Sequence, residues 1–169
     1  MKPIEQQMAT YAAYHQDARN KATHFIGVPV IVLSLFIPLA WLRIDLGGIA
    51  ISAAMLFAAV VLLYYFILDV PLALAMLPVF ALLAWLGENI ATLGAVPGWT
   101  WFAGLFIGGW ILQLVGHLYE GRRPALTDNL LQIFVAPIFL AAEVFFALGY
   151  KPGLHSAVQQ RALRLRANS

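Results

Sequence analysis

From Gly47 to Leu68 the chain carries no charged residue. About 20 largely apolar residues suffice for a helix to cross a bilayer, and an apolar run of that length is read as a spanning candidate. Three other stretches behave alike. Phe25 to Leu42 is uncharged and ends at Arg43 and Asp45, Leu72 to Leu93 holds only Glu88, and the stretch opened by Trp99 and Trp101 runs to Tyr119. Only 11% of the 169 residues are charged and 62% are hydrophobic, against about a quarter charged in soluble domains. So few charges would leave most of a globule's surface apolar. The expectation is an all-α polytopic membrane helical bundle with four transmembrane helices.

The remaining apolar stretch, Leu130 to Tyr150, is interrupted by Pro137 and Glu143. It reads as a fifth span or as a re-entrant hairpin broken at Pro137. Basic residues in short loops mark the cytoplasmic side, and Lys2, Arg19 and Lys21 place the N-terminus there. Four spans return the Arg122–Arg123 loop to the same side, whereas a full fifth span would export Lys151 and the arginines after it. The hairpin removes that conflict. The division expected is one membrane domain over 1–150 and a basic cytoplasmic tail over 151–169, in a bacterial inner membrane. Asp69, in the short break before Leu72, suits a helix cap. The first 24 residues are too polar for a cleavable leader. Cysteine is absent, which removes thiolate chemistry, and a net charge of +2 argues for no nucleic-acid partner.

The polar residues gather in two clusters, Tyr14 to His24 and Gln113 to Glu120, and the four-span count puts both on one membrane face. Gln113, His117 and Glu120 follow i, i+4, i+7 spacing and share one helical face. Neutral imidazole is the commonest protein metal ligand, and ionisable residues near membrane helix ends are functional candidates. His15 and His24, nine residues apart, are about half a turn out of phase on one straight helix. Both reach one site only if the helix breaks between them, for which Asn20 is a suitable cap. Histidines with a carboxylate and no thiolate suit non-haem iron or zinc. Four histidines are too few for the histidine-rich diiron lipid desaturases and hydroxylases.

The pattern Tyr14-His15…Asn20…His24…Gly27…Pro29, then Gln113…Gly116-His117…Glu120…Pro124, with Gln132, Pro137 and Glu143, resembles a family of small membrane proteins. That family contains the yeast 2-hydroxy fatty acid dioxygenase of phytosphingosine breakdown and many bacterial relatives. The resemblance covers roughly residues 5 to 150. It implies an iron(II)-dependent α-oxidation in which a 2-hydroxy fatty acid and O2 yield the acid one carbon shorter. It implies His15, His24 and His117 as ligands of Fe(2+), with Glu120 as a fourth ligand or a partner of the ligands. Tyr14, Asn20 and Gln113 would complete the catalytic constellation. Arg122, Arg123 and Lys21 would hold the substrate carboxylate, and the acyl chain would lie in the bilayer.

Two other classes compete. A non-enzymatic lipid-binding protein or small transporter would use the helices alone, but transport sites near mid-membrane need polar residues in broken helices, and the first three spans are nearly bare of them. A zinc-dependent lipid hydrolase would use His117 and Glu120, with Glu120 as general base. A homo-oligomer is compatible with each.

Overall fold

A computed structural model describes residues 3–121 and 132–167. Arg122, Arg123 and the start of the Leu130–Tyr150 stretch lie outside the described residues. Among the described residues there are α1 (Pro3–Ala13), α2 (Ala18–Trp41), β1 (Arg43–Leu46), β2 (Ile49–Ser52), α3 (Ala53–Leu68), α4 (Val70–Ala91), α5 (Ala95–Glu120), α6 (Gln132–Ala147) and α7 (Pro152–Ala167). Helices α2, α4 and α5, of 24, 22 and 26 residues, are long and apolar enough to cross a membrane. At 1.5 Å per residue each exceeds the roughly 30 Å hydrocarbon core. The chain is an all-α membrane protein with one small hairpin.

Two of the expected elements take a different form. Residues 47–52 do not begin a helix. Gly47 and Gly48 both have positive φ, +67° and +93°, which suits the mirror-image two-residue turn favoured in hairpins. The antiparallel pair Arg43–Leu46 with Ile49–Ser52 follows from it. Apolar β-branched residues on either side of the turn satisfy a strand as readily as a helix. Helix α3 therefore has only 16 residues, about 24 Å at helical rise. Likewise, the break in the last apolar stretch is not at Pro137, which lies inside α6. The chain turns at 148–151, where Gly149 and Lys151 have positive φ, and α6 and α7 meet at 120°.

The chain divides into two compact units, Ile26–Leu112 and a second made of Met1–Phe25 with Gln113–Ser169. In the first, α3 packs along α4. Ser52 caps α3 by accepting from Met55 N, and Asp69 caps α4 by accepting from Leu72 N at 3.1 Å, as expected of it. Tyr65, Phe80 and Phe36 form a buried aromatic core, with ring centroids 5.9 and 6.1 Å apart. A Cβ on Gly87 would lie 2.6 Å from Phe36 Cβ, so α4 approaches α2 closely because that residue has no side chain. Small residues let membrane helices pack in this way. Trp41 Nε1 donates to Ala91 O at 3.1 Å, and Arg43 pairs with Glu88.

The second unit contains the polar clusters. Helix α1 buries Ile4, Met8, Ala9, Tyr11 and Ala12, and packs against α6 and α7. Helix α6 buries Val135, Ile138, Phe139 and Ala142, and α7 buries Val158 and Ala162. Helix α7 is thus packed on α1 through an apolar seam.

Candidate metal centre

Helix α1 ends at Ala13 and α2 begins at Ala18, so the break that helical phase demands between His15 and His24 falls at 14–17. The cap is Asp17 rather than Asn20. Asp17 Oδ1 accepts from Arg19 N at 2.8 Å, while Asn20 lies inside the helix. The Arg19 side chain, hydrogen-bonded to Asp17, holds that carboxyl down at about 2. An anion therefore stays at the positive end of α2. The Arg19 guanidinium also sits 4.6 Å over the Tyr119 ring.

The break aims His15 into the unit. It is 2% exposed, and its ring stacks on Tyr11 at 3.9 Å with 4° between the planes. Its Nδ1 bonds to Tyr11 O at 2.7 Å. His24, equally buried, bonds through Nδ1 to Asn20 O at 2.9 Å. A carbonyl only accepts, so both Nδ1 atoms carry the proton and both Nε2 atoms offer a lone pair. This arrangement, in which a backbone acceptor fixes tautomer and ring orientation, is typical of metal-ligating histidine.

His117 comes from the last turn of α5. Gln113, Gly116, His117 and Glu120 are buried there while Leu114, Leu118 and Tyr119 are exposed, the single face that their spacing predicted. Gly116 sets the approach. A Cβ on it would lie 2.2 Å from Thr23 Oγ1 and 2.5 Å from Asn20 Oδ1, so any side chain there would push both residues aside, and glycine lets α5 come this close to the first turns of α2. The His117 ring then stands edge-on to the other two, with centroids 5.0 Å from His15 and 5.1 Å from His24.

The three histidines offer ring nitrogens all within 4.8 Å of one another, and they are the group of that kind among the described residues. His15 Nε2 and His24 Nε2 are 3.1 Å apart. Two lone pairs facing at that distance repel unless a positive charge lies between them. Burial, with the nearby His24 ring adding to it, pushes the His15 pKa well below its ordinary value, so a ring proton does not fill that role at neutral pH. A divalent metal fits instead. Ligand atoms about 2.1 Å from one ion are separated by roughly 3.0 Å at 90° and 3.4 Å at the tetrahedral angle, and the His15–His24 spacing lies between.

The other residues singled out in the sequence fall around this centre. Glu120 does not join the histidine cluster. Its Oε2 accepts from Gln16 N at 3.0 Å, Asp17 N at 2.8 Å and Asn20 Nδ2 at 3.1 Å, and its other oxygen pairs with Arg166. Asn20, fully buried, also donates to Tyr14 O at 3.2 Å. Tyr14 itself is half-buried in the break. Lys21 is ion-paired with Glu143 at 2.8 Å. Gln113 is buried, and its Nε2 has no hydrogen-bond partner among the described residues.

Sequence reading missed Tyr11, Phe139 and Arg166. Tyr11 stands four residues before His15, where an aromatic one turn back signals a possible stack. Phe139 lies 4.7 Å from Tyr11 and 6.3 Å from His15, centroid to centroid. It and Arg166 carry no local signal, being joined to the site only by the fold.

Comparison with known proteins gives the family. Residues 1–148 match the family model described as 2-hydroxy-palmitic acid dioxygenase Mpo1-like. The chain is 34% identical over 173 residues to the 2-hydroxy-palmitic acid dioxygenase MPO1 of Saccharomyces cerevisiae, covering 96% of this chain and 95% of the yeast protein. No solved structure matches. Matched by that model over residues 1–148 and similar to the yeast protein along nearly its whole length, the chain belongs to the Mpo1-like 2-hydroxy-palmitic acid dioxygenase family.

Proposed function

We propose that this protein is an iron(II)-dependent dioxygenase that performs α-oxidation of 2-hydroxy fatty acids, giving the fatty acid one carbon shorter. The observation that carries this reading is the trio of buried histidines within 4.8 Å, in a chain similar along nearly its whole length to a 2-hydroxy-palmitic acid dioxygenase. His15, His24 and His117 would hold the iron. Bound there, ferrous iron supplies the one-electron chemistry that lets dioxygen react with a closed-shell acid.

The chain's own residues account for the rest. Three neutral imidazoles leave the charge of a divalent ion uncompensated, and Glu120, committed to backbone amides and Arg166, does not neutralise it. An anionic substrate carboxylate is therefore favoured at the centre. Gln113 Nε2, buried on the His117 face, is a donor suited to a substrate oxygen, with Asn20 and Tyr14 holding the break that orients His15. Because Lys21 is paired with Glu143, steering of the carboxylate falls to Arg122 and Arg123. The acyl chain lies among the apolar helices, where each buried methylene contributes about 0.8 kcal/mol. In this reading the N-terminus and centre lie at the cytoplasmic face of a bacterial inner membrane, as the excess of basic residues in the short loops supports.

The reaction balances without an outside reductant. A 2-hydroxy acid and one O2 give the shortened acid, one CO2 and one water: the bond between the first two carbons breaks, and the substrate supplies all four electrons. A hydrolase reading is disfavoured, because a general base needs a free lone pair on Glu120, whose oxygens already accept from three N–H groups and a guanidinium.

The test is turnover of the purified protein in lipid nanodiscs with ferrous iron and 2-hydroxypalmitate. Pentadecanoic acid, formed in equal amount to the oxygen consumed, is the expected result. Absence of oxygen uptake and of pentadecanoic acid with ferrous iron bound would overturn the assignment.

A further inference from the structure

Glu120 Oε2 accepts from two consecutive backbone amides, Gln16 N and Asp17 N, and from Asn20 Nδ2. The first two follow directly after His15. The third residue supplies, through its own carbonyl, the acceptor that orients His24 Nδ1. Glu120 itself lies one helical turn beyond His117. One carboxylate thus ties together the three segments that carry the histidines. Its side chain is 0% exposed, so the anion needs a compensating charge, and that charge is Arg166 on α7. Helix α7 is kept in place by its buried Val158 and Ala162 on α1, and by Gln16 Nε2 donating to Gln159 Oε1 at 3.3 Å. Arg166 lies beyond the residues matched by the family model.

We propose that Arg166 is a positioning residue for the metal centre, acting through Glu120 on the segments that hold His15, His24 and His117. Without the guanidinium, the buried carboxylate must take up a proton or turn toward water. In either case the 14–17 segment loses the acceptor that holds its amides, and the His15 and His24 nitrogens lose their fixed spacing. Helix α7 is then a brace for the site as well as part of the core. The proposal rests on the reading of the three histidines as a metal centre.

The test is Co(II) titration of the metal-free, full-length protein in nanodiscs, followed by the visible absorption of the bound ion. Partners that orient metal ligands affect affinity by about 10–100-fold, so Arg166→Ala is expected to weaken Co(II) binding at least about tenfold. Arg166→Lys restores a positive charge to Glu120, though as a point donor rather than a fork, and is expected to recover most of the loss. Arg164→Ala, an exposed neighbour on the same helix, is expected to bind as wild type. Arg166→Gln keeps the aliphatic stem and carries the comparison if the alanine variant does not fold. Wild-type Co(II) affinity in Arg166→Ala or Arg166→Gln would overturn the proposal, as would an equal loss in Arg164→Ala. If the wild-type protein binds no Co(II), the metal-centre reading falls as well. If it binds and Arg166 is without effect, only the brace falls.

Discussion

Replacing any one of His15, His24 or His117 with alanine is expected to abolish metal retention and to reduce turnover by more than the roughly 100-fold that loss of a mere ligand-orienting partner costs. The three offer one donor atom each, all within 4.8 Å of one another, and no fourth described residue joins that group. Two histidines alone would bind the ion weakly. The fold should survive, because few hydrogen bonds are lost, although His15→Ala also removes the ring stacked on Tyr11. His15 and His24 lose one bond each, to Tyr11 O and Asn20 O, worth about 0.5–1.5 kcal/mol apiece. Metal content by mass spectrometry, together with a helical circular dichroism spectrum unchanged from wild type, checks this. Full metal occupancy in all three variants would place the centre elsewhere.

The second large effect concerns Glu120. Glu120→Ala leaves Gln16 N and Asp17 N without this acceptor, takes one acceptor from Asn20 Nδ2 and removes the carboxylate that Arg166 pairs with. Removing one partner of a buried ion pair costs about 3–5 kcal/mol. Arg166 is one-third exposed and regains water, which softens its share, but the amides beside His15 do not all reach solvent. For a chain of this length, about 3 kcal/mol lowers the melting temperature by roughly 10 °C. Glu120→Gln keeps one carbonyl oxygen for the amides and loses the ion pair, so it should fall between wild type and alanine. Thermal unfolding in detergent measures this. An alanine variant that melts with wild type would show that the carboxylate holds nothing in place.

The membrane character and helical order were legible in the chain because the bilayer demands long uncharged runs, and Phe25–Leu42, Leu72–Leu93 and the Trp99–Tyr119 stretch have them. The common face of Gln113, His117 and Glu120 followed from helical phase. The same phase required a break between His15 and His24, though Asp17, not Asn20, caps the new helix. What escaped was set by backbone conformation or by distance in the chain. Gly47–Gly48 turns an apolar run into a hairpin, since Ile44, Leu46, Ile49 and Ile51 suit a strand as well as a helix. Pro137 is absorbed within α6, and the bend moves to Gly149 and Lys151. Arg166 meets Glu120 across 46 residues, a pairing no local pattern announces.

The most direct measurement is X-ray absorption at the iron edge of the protein loaded anaerobically with ferrous iron. One iron per chain, with about three imidazole nitrogens at about 2.1 Å and loss of that shell in His117→Ala, is the result this account predicts. Iron that binds without imidazole scattering, or whose shell is unchanged in His117→Ala, would contradict it.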